Sequence, residues 1–326
     1  MIITKSPLRI TLGGGGTDLA SYYTDYEGFL ISAAIDKYVY ITINDNFVKE
    51  LWLKYSKIEH VKDIELIQHP IFREALKMVD IKNPWIDINS IADIPAGTGL
   101  GSSGSFTTAL LKALHTYKGD IITTRNLAEE ACTIEIEKLG EHIGKQDQYI
   151  SAYGGVQCIT FHKNGFVEVA PLQIPQSKFY DLEDSLAMFF TGYSHSASAI
   201  LESQDKKSKE KDNNMIQNLH FVKELAYDSA VALINGDIKH YADLMHIHWQ
   251  AKRSRSNDMS NPQIDEWYEY GLMHGALGGK LIGAGGGGFL LFVCQDKARL
   301  REAMSKIGLQ EVRFRFVKEG TQVMVR

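Results

Sequence analysis

The chain has 326 residues, 44% of them hydrophobic and 23% charged, and its formal net charge is −5. This length suits two domains of ordinary size, the composition is that of a globular protein, and the charge balance provides no general attraction to nucleic acid or to an anionic membrane surface. The three cysteines form no CxxC pair, which argues against a structural zinc site. No stretch approaches the roughly 20 apolar residues of a membrane span, so we expect a cytoplasmic protein.

The first half of the chain is predicted to mix strands with helices. Alternating apolar residues, or enrichment in Ile, Val and Tyr, predict strands over residues 2–12, 29–43, 84–91, 155–161 and 165–170. Leucines along one side predict a helix over residues 103–117. A second helix is predicted over residues 125–139, with Thr124 as its N-cap.

The second half begins after Pro171 and Pro175, which bracket a polar stretch. We therefore expect an N-terminal domain of residues 1–175 and a C-terminal domain of residues 176–326. Residues 203–214 are charged and lack apolar periodicity, which predicts an exposed connection or the frayed start of a helix. The other predicted elements are a strand over 185–192, helices over 215–234, 237–252 and 263–276, and two strands flanking a glycine-rich segment. Their order is typical of an α+β protein.

Three segments are rich in glycine: residues 8–18, 95–105 and 283–288. The second runs directly into a predicted helix, where the first backbone N–H groups lack internal partners and the helix dipole favours an anion. A triphosphate is a suitable ligand for such a site. The hydroxyls of Ser102 and Ser103 could bind phosphate or Mg²⁺. The alternative is a tight turn without a ligand. GxxxxGK[ST] is absent from the sequence, and GxGxxG read from Gly97 fails at Ser102, which stands where the final glycine would be; this disfavours a P-loop enzyme and a dinucleotide-dependent oxidoreductase.

These three segments, in this order and spacing, resemble the GHMP kinase family, named for galactokinase, homoserine kinase, mevalonate kinase and phosphomevalonate kinase. Residues 95–105 match the family pattern PxGxGLGSSxS, and residues 283–288 match GAGxGG. The resemblance covers essentially the whole chain. It implies a two-domain fold whose N-terminal domain is similar to the second domain of ribosomal protein S5 and whose C-terminal domain is ferredoxin-like.

The segment from Arg9 to Asp18 is similar to the motif of family members that phosphorylate the anomeric hydroxyl of a sugar, among them heptose 7-phosphate kinases and fucokinase domains. The length of the chain favours the heptose 7-phosphate kinases, because fucokinases are usually longer or fused to another domain. The resemblance therefore implies ATP- and Mg²⁺-dependent phosphorylation of D-glycero-D-manno-heptose 7-phosphate to the 1,7-bisphosphate, which would feed synthesis of a nucleotide-activated heptose. A kinase for an unphosphorylated sugar such as L-fucose, and a non-catalytic sugar or nucleotide sensor, remain as alternatives. We expect a monomer or a homodimer.

The resemblance also implies roles for single residues. Asp147 would accept the proton of the sugar hydroxyl, Arg9 would pair with it, and Glu135 with Ser103 would hold Mg²⁺. Each has a structural alternative, namely a capping aspartate, a salt bridge that only supports the fold, and a solvated helix glutamate. The ATP-binding residues implied by the match are Pro95, Gly97, Gly99, Leu100, Gly101, Ser102, Ser103 and Gly104.

Asp18 matches the family position that binds sugar hydroxyls, and a helix N-cap is its structural alternative. Arg253 and Arg255 are the main candidates for binding a distal phosphate, with Lys252 and His195 as further cations near the site; a solvated helix end is the alternative for this basic run. The remaining residues implied in sugar binding are Gly15, Gly16, Thr17, Gly285 and Gly286.

Overall fold

The computed structural model describes residues 1–82, 84–194 and 197–326, so His195 lies outside the described residues. The strands are β1 (Ile2–Gly14), β2 (Gly28–Asp45), β3 (Leu51–Lys54), β4 (Ile58–Val61), β5 (Ile86–Ala92), β6 (Val156–Phe161), β7 (Val167–Pro171), β8 (Leu186–Phe190), β9 (Ala276–Leu281), β10 (Phe289–Cys294) and β11 (Gln322–Val325). The α-helices are α1 (Ala20–Tyr26), α2 (Pro70–Met78), α3 (Ser102–Lys118), α4 (Thr124–Cys132), α5 (Gln146–Tyr153), α6 (Gln176–Ser185), α7 (Ala197–Lys209), α8 (Asn213–Asn235), α9 (Ile238–Arg253), α10 (Pro262–Met273) and α11 (Lys297–Lys306).

The larger sheet is built around β2. Within the described part of the chain it has eight strands, with β1, β5 and β6 all pairing antiparallel with β2. The last strand, β11, returns from the far end of the chain and pairs antiparallel with β1. The predicted boundary between two domains after residue 175 stays a prediction.

The smaller sheet has the order β8-β10-β9, and both of its strand pairs are antiparallel. One core lies between the two sheets and includes Leu8 and Ile10 of β1, Leu225 of α8 and Leu291 of β10. A second core lies between the opposite face of the larger sheet and α3. Because strand side chains alternate between faces, Arg9 points away from the first core and toward the N-terminus of α3.

The regular elements follow from local sequence signals. The apolar residues of β2 and β10 predict buried strands. Gly119 and Gly236 end α3 and α8 in the left-handed conformation that glycine adopts without strain. The predicted α+β class is confirmed. Among the described residues, no helix combines the length and apolar character needed to cross a bilayer.

Three local predictions were wrong. Residues 203–209 belong to α7, a helix whose buried side chains, Gln204, Asp205 and Ser208, are polar, so no apolar periodicity marks it. The N-cap of α4 is Thr123, whose hydroxyl accepts a hydrogen bond from the Asn126 amide. The helix predicted over residues 125–139 changes to a π-helical segment at Thr133–Lys138.

Candidate active site

A cavity of about 590 Å³ opens where α3, the π-helical segment and the third glycine-rich segment meet. A second, smaller cavity continues from it toward β1 and β9. The two cavities share Arg9 and Asp147 in their walls. A volume of this size is typical of small-molecule sites. The shared residues therefore stand where a ligand in one cavity would face a ligand in the other.

Arg9 and Asp147 form a bidentate ion pair. Arg9 Nε lies 2.7 Å from Asp147 Oδ1, and Arg9 Nη2 donates to Asp147 Oδ2 at 3.0 Å. A third guanidinium donor, Nη1, reaches the carbonyl oxygen of Gly99 at 2.5 Å. Arg9 is buried, whereas a quarter of the Asp147 side chain is exposed. The arginine is thus locked in place, and the carboxylate remains accessible from the cavities.

The first turn of α3 and the loop before it lie close to the Arg9–Asp147 pair because both contain glycine. A Cβ atom on Gly104 would lie 2.9 Å from the Asp147 backbone and side chain, and a Cβ on Gly101 would lie 3.0 Å from Arg9 Cγ. Gly101 also has φ of +75°. No side chain caps α3, so its first backbone N–H groups are open toward the larger cavity. This is the environment that an anionic phosphate chain requires.

Glu135 lies on the π-helical segment and is almost fully buried in the wall of the larger cavity. Burial raises its pKa to about 7, although hydrogen bonds from Gln148, Ser103 and Thr107 act in the opposite direction. No cationic side chain of the described residues pairs with it. The neighbouring Gln148 Oε1 is also buried and lacks a hydrogen-bond partner within the described chain.

This donor set fits Mg²⁺. The ion takes oxygen ligands, binds through one or two carboxylates, and obtains its other ligands from phosphates and water. Glu135 and the Ser103 hydroxyl supply hard oxygen donors beside the N-terminus of α3. No group of three or more His, Cys, Asp or Glu side chains that could hold a metal occurs among the described residues.

Part of the wall of the larger cavity is apolar. It contains Tyr55, Ile71, Ile94 and Phe106, together with His69. An aromatic or aliphatic wall of this kind suits a flat heterocycle, while the glycine loop suits an anion. The cavity as a whole therefore matches a nucleotide.

The third glycine-rich segment packs directly on the loop before α3. A Cβ on Gly283 would lie 2.5 Å from Gly99 Cα, and one on Gly288 would lie 2.2 Å from the Thr98 carbonyl oxygen. Gly285 lines the larger cavity, whereas the Gly286 amide donates to the Met259 carbonyl. The glycines here bring two loops from distant parts of the chain into backbone contact.

The smaller cavity is lined by Asp18 and by the first glycine-rich segment. Asp18 Oδ1 accepts from the Gly16 amide at 3.1 Å and Oδ2 from the Gln146 amide at 3.3 Å. Burial, and then the charge of Asp147, raise the Asp18 pKa above its usual value. Gly144 is essential to this placement, because its Cβ would lie 1.9 Å from Asp18 Oδ2. The carboxylate is positioned to accept hydrogen bonds from a polyol.

Six predicted site residues line neither cavity: Thr17, Pro95, Leu100, Gly104, Arg253 and Gly286. Thr17 is fully buried, and its hydroxyl donates to the Phe29 carbonyl at 3.0 Å. Leu100 lies in the core, and Pro95 accepts a hydrogen bond from Thr98. Arg253 makes an ion pair with Asp265 at 2.6 Å and is partly exposed. Arg255, by contrast, is buried and lines the smaller cavity.

Two buried residues of the smaller cavity are not among those predicted from the sequence. Lys280 on β9 and His248 on α9 are both buried in its wall. The signal for Lys280 was a lysine inside a β-like apolar stretch directly before the third glycine-rich segment. His248 carried no comparable signal, since a single histidine on a helix is commonly structural.

Comparison with known proteins gives the following matches. The family described as GHMP kinases N terminal domain matches residues 67–155, and GHMP kinases C terminal matches residues 229–310. A D-glycero-alpha-D-manno-heptose 7-phosphate kinase from Campylobacter jejuni subsp. jejuni serotype O:2 is 30% identical, with 98% of each chain covered.

Two further proteins are similar over most of this chain. A bifunctional fucokinase/GDP-fucose pyrophosphorylase from Arabidopsis thaliana is 25% identical over 92% of this chain, which spans only 30% of that protein. The crystal structure of a D-glycero-D-manno-heptose 1-phosphate kinase from Bacteroides thetaiotaomicron superposes with a TM-score of 0.83 at 24% identity, covering 100% of this chain and 99% of that one. At this level of identity, the structural match shows a shared fold and says nothing about the substrate.

Proposed function

This chain belongs to the GHMP kinase family and is a sugar kinase, and we propose that it transfers the γ-phosphoryl group of Mg·ATP to the anomeric hydroxyl of D-glycero-D-manno-heptose 7-phosphate. The observation that carries this proposal is the Arg9–Asp147 pair at the junction of a nucleotide-shaped cavity and a polar cavity. The product would be the 1,7-bisphosphate, a precursor for activation of the heptose by a nucleotide.

In the proposed reaction, Asp147 accepts the proton of the attacking hydroxyl. The sugar oxygen then bonds to the γ-phosphorus while the bond to the bridging oxygen of ADP breaks. Arg9 holds the carboxylate by two hydrogen bonds and adds positive charge next to the reacting groups. Positioning and charge neutralisation account for most of the catalysis in phosphoryl transfer, so a rigid pair of this kind is what the reaction needs.

The nucleotide is assigned to the larger cavity. Its phosphates would lie on the open N-terminus of α3, and its base would lie against the apolar part of the wall near Tyr55 and Phe106. Glu135 and Ser103 would hold Mg²⁺, which bridges phosphate oxygens and neutralises charge as the phosphoryl group moves. Asp18 and the backbone of Gly15 and Gly16 would hold the sugar hydroxyls in the smaller cavity.

Two observations support a phosphorylated heptose over a free sugar. The heptose 7-phosphate kinase from Campylobacter jejuni matches over 98% of both chains, whereas the fucokinase match covers only part of a much longer protein. The wall of the smaller cavity also contains buried cationic side chains. An L-fucose kinase is the second candidate, because the bifunctional fucokinase/GDP-fucose pyrophosphorylase is 25% identical over 92% of this chain.

The test is an assay of ADP release with Mg·ATP and a panel of acceptors: D-glycero-D-manno-heptose 7-phosphate, mannose, mannose 6-phosphate, L-fucose, galactose and mevalonate. Asp147→Asn is compared with Asp228→Asn, which changes an exposed carboxylate on α8 in the same way. We expect turnover of the heptose 7-phosphate that is lost only in Asp147→Asn. Preferential turnover of L-fucose would support the second candidate, and full activity of Asp147→Asn would contradict the proton-acceptor role.

A further inference from the structure

Three cationic side chains are buried together in the wall of the smaller cavity. Lys252, Arg255 and Lys280, which we call the buried cation cluster, have relative exposures of 7%, 7% and 2%. No carboxylate of the described residues lies within ion-pair distance of any of them. Buried charges in proteins are usually paired, so three unpaired cations at one cavity wall require an explanation.

The protein supplies the cluster only with neutral partners. Lys252 Nζ donates to the carbonyl oxygens of Leu281, at 3.1 Å, and Gly283, at 2.5 Å. Lys280 Nζ lies 3.3 Å from His248 Nδ1. These bonds orient the ammonium groups without neutralising them.

Arg255 is held in the same manner. Its Nε donates to Asn218 Oδ1 at 2.7 Å, its Nη1 to Gln204 Oε1 at 3.4 Å, and its Nη2 to the Gly15 carbonyl at 3.3 Å. All three acceptors are uncharged oxygens. The guanidinium is therefore fixed at the edge of the first glycine-rich segment with its charge uncompensated.

Burial and mutual repulsion disfavour the charged forms of the cluster. Burial, and then the charges of Arg255 and Arg9, lower the pKa of Lys280 to about 7. Burial, and then Arg255 and Lys280, lower the pKa of Lys252 well below its usual value. The pKa of His248, which also faces the cluster, is lowered by burial and by the same cations. The folded protein without a ligand thus disfavours its own positive charge here.

A count of charges on the cavity wall indicates the missing partner. The cluster contributes three positive charges when protonated, Asp18 contributes one negative charge, and Arg9 and Asp147 cancel each other. Three minus one leaves two positive charges. A phosphomonoester carries about −1.5 to −2 at neutral pH and presents three acceptor oxygens, so it matches this surplus in both charge and hydrogen bonding.

We propose that Lys252, Arg255 and Lys280 bind a phosphomonoester carried by the sugar acceptor, at the end of the acceptor away from the reacting hydroxyl. This inference rests on the proposed function, since it names the residues that would select a phosphorylated substrate. Arg253, although adjacent in sequence, is paired with Asp265 and is not part of this site. The site therefore combines the C-terminal end of α9, the residue Arg255 beyond it, and β9.

The position of the cluster distinguishes the acceptor phosphate from the phosphoryl group that is transferred. The nucleotide phosphates are assigned to the N-terminus of α3, beside Ser103 and Glu135 in the larger cavity. The three cluster residues line only the smaller cavity, on the other side of the shared Arg9–Asp147 pair. A ligand phosphate at the cluster is consequently separated from the transferred group by the reacting centre.

The experiment compares Lys280→Met, Lys252→Met and Arg255→Met with wild type on heptose 7-phosphate and on the same heptose without its phosphate. Loss of one charge-assisted contact should raise KM for the phosphorylated acceptor about 10- to 100-fold. We expect kcat with that acceptor to stay within about twofold, and the dephosphorylated acceptor to be affected little. Lys239→Met, which removes an exposed lysine at the other end of α9, is the matched control and should match wild type.

Two outcomes would overturn the inference. An equal fall in kcat for both acceptors would show that the cluster acts on the transferred phosphoryl group, and an unchanged preference for the phosphorylated acceptor would show that it does not bind the acceptor phosphate. Misfolding is checked by thermal melting. Lys280→Met removes an uncompensated buried charge, so its melting temperature should equal or exceed that of wild type, and a marked decrease would point to a structural role.

Calorimetry without nucleotide separates this inference from the proposed function. Mannose 6-phosphate, mannose and heptose 7-phosphate are titrated into wild type and Lys280→Met. Phosphate-dependent binding that is lost in Lys280→Met, together with no turnover of heptose 7-phosphate, would refute the proposed substrate and retain the phosphate site. Turnover of heptose 7-phosphate with equal binding of both acceptors by wild type and variant would retain the proposed function and refute the site.

Discussion

Replacing Arg9 by lysine is expected to slow the reaction while keeping the positive charge. The guanidinium makes three contacts, two to the Asp147 carboxylate and one to the Gly99 carbonyl. A lysine ammonium cannot reproduce the planar fork and could keep about one of them. Hydrogen bonds to charged groups contribute about 1.5–3 kcal/mol each when buried, and the partial exposure of Asp147 reduces this value.

Loss of two such contacts removes roughly 3 kcal/mol of the free energy that holds Asp147 in position. If the transition state loses this stabilisation, kcat falls about 100-fold. Arg9→Met, which also removes the charge, should reduce kcat by about 1,000-fold. The assay is steady-state ADP release with saturating acceptor, accompanied by thermal melting and by nucleotide binding. Binding of ATP should change little, because the uncapped N-terminus of α3, to which we assign the nucleotide phosphates, is retained.

Arg301→Lys is the matched control. Arg301 also holds a carboxylate with two donors, its Nε and Nη2 both donating to Glu311, and it lies on α11 outside both cavities. The same loss of fork geometry there should leave kcat unchanged. Full activity of Arg9→Lys would refute the positioning argument, and so would an equal loss of activity in Arg301→Lys.

Three further predictions concern the metal, the sugar and pH. Glu135→Gln should raise the Mg²⁺ concentration needed for half-maximal rate by 10-fold or more, since a neutral amide is a weaker ligand, and an unaltered Mg²⁺ titration would exclude Glu135 as a ligand. Gly144→Ala should raise the sugar KM with little effect on the ATP KM, because a Cβ 1.9 Å from Asp18 Oδ2 must displace that carboxylate; equal effects on both would indicate general distortion. The pKa of Lys280 is about 7, so the free lysine loses its proton above that pH and affinity for the phosphorylated acceptor should fall as pH rises from 7 to 9. The acceptor phosphate remains a dianion over this range, and Lys252 titrates in the same direction, so the slope should decrease in Lys280→Met; an identical slope in the variant would argue against this origin.

Local sequence determined most of the regular structure described above and the glycine-rich loops that line the larger cavity. The strand predicted over 2–12 is β1 (Ile2–Gly14), and the helix predicted over 103–117 is α3 (Ser102–Lys118). Both depend on interactions between residues close in the chain, which periodicity and glycine placement report directly. The family resemblance located Arg9 and Asp147, which lie 138 residues apart and are joined by an ion pair.

Tertiary structure decided which side chains share a cavity. Sequence placed Arg253 and Arg255 together as candidates, and packing separates them, with Arg253 paired to Asp265 and Arg255 buried beside the first glycine-rich segment. Sequence marks Lys280 only as a lysine within an apolar stretch, whereas its place in the site depends on its burial and on the lack of an ion-pair carboxylate among the described residues around it. The buried face of α7 was missed for a related reason: Gln204 and Asp205 are buried by polar contacts to Gly16 and His142, and such contacts leave no apolar period in the chain. Periodicity reports burial against an apolar core, whereas a polar site is defined by groups brought together from distant segments.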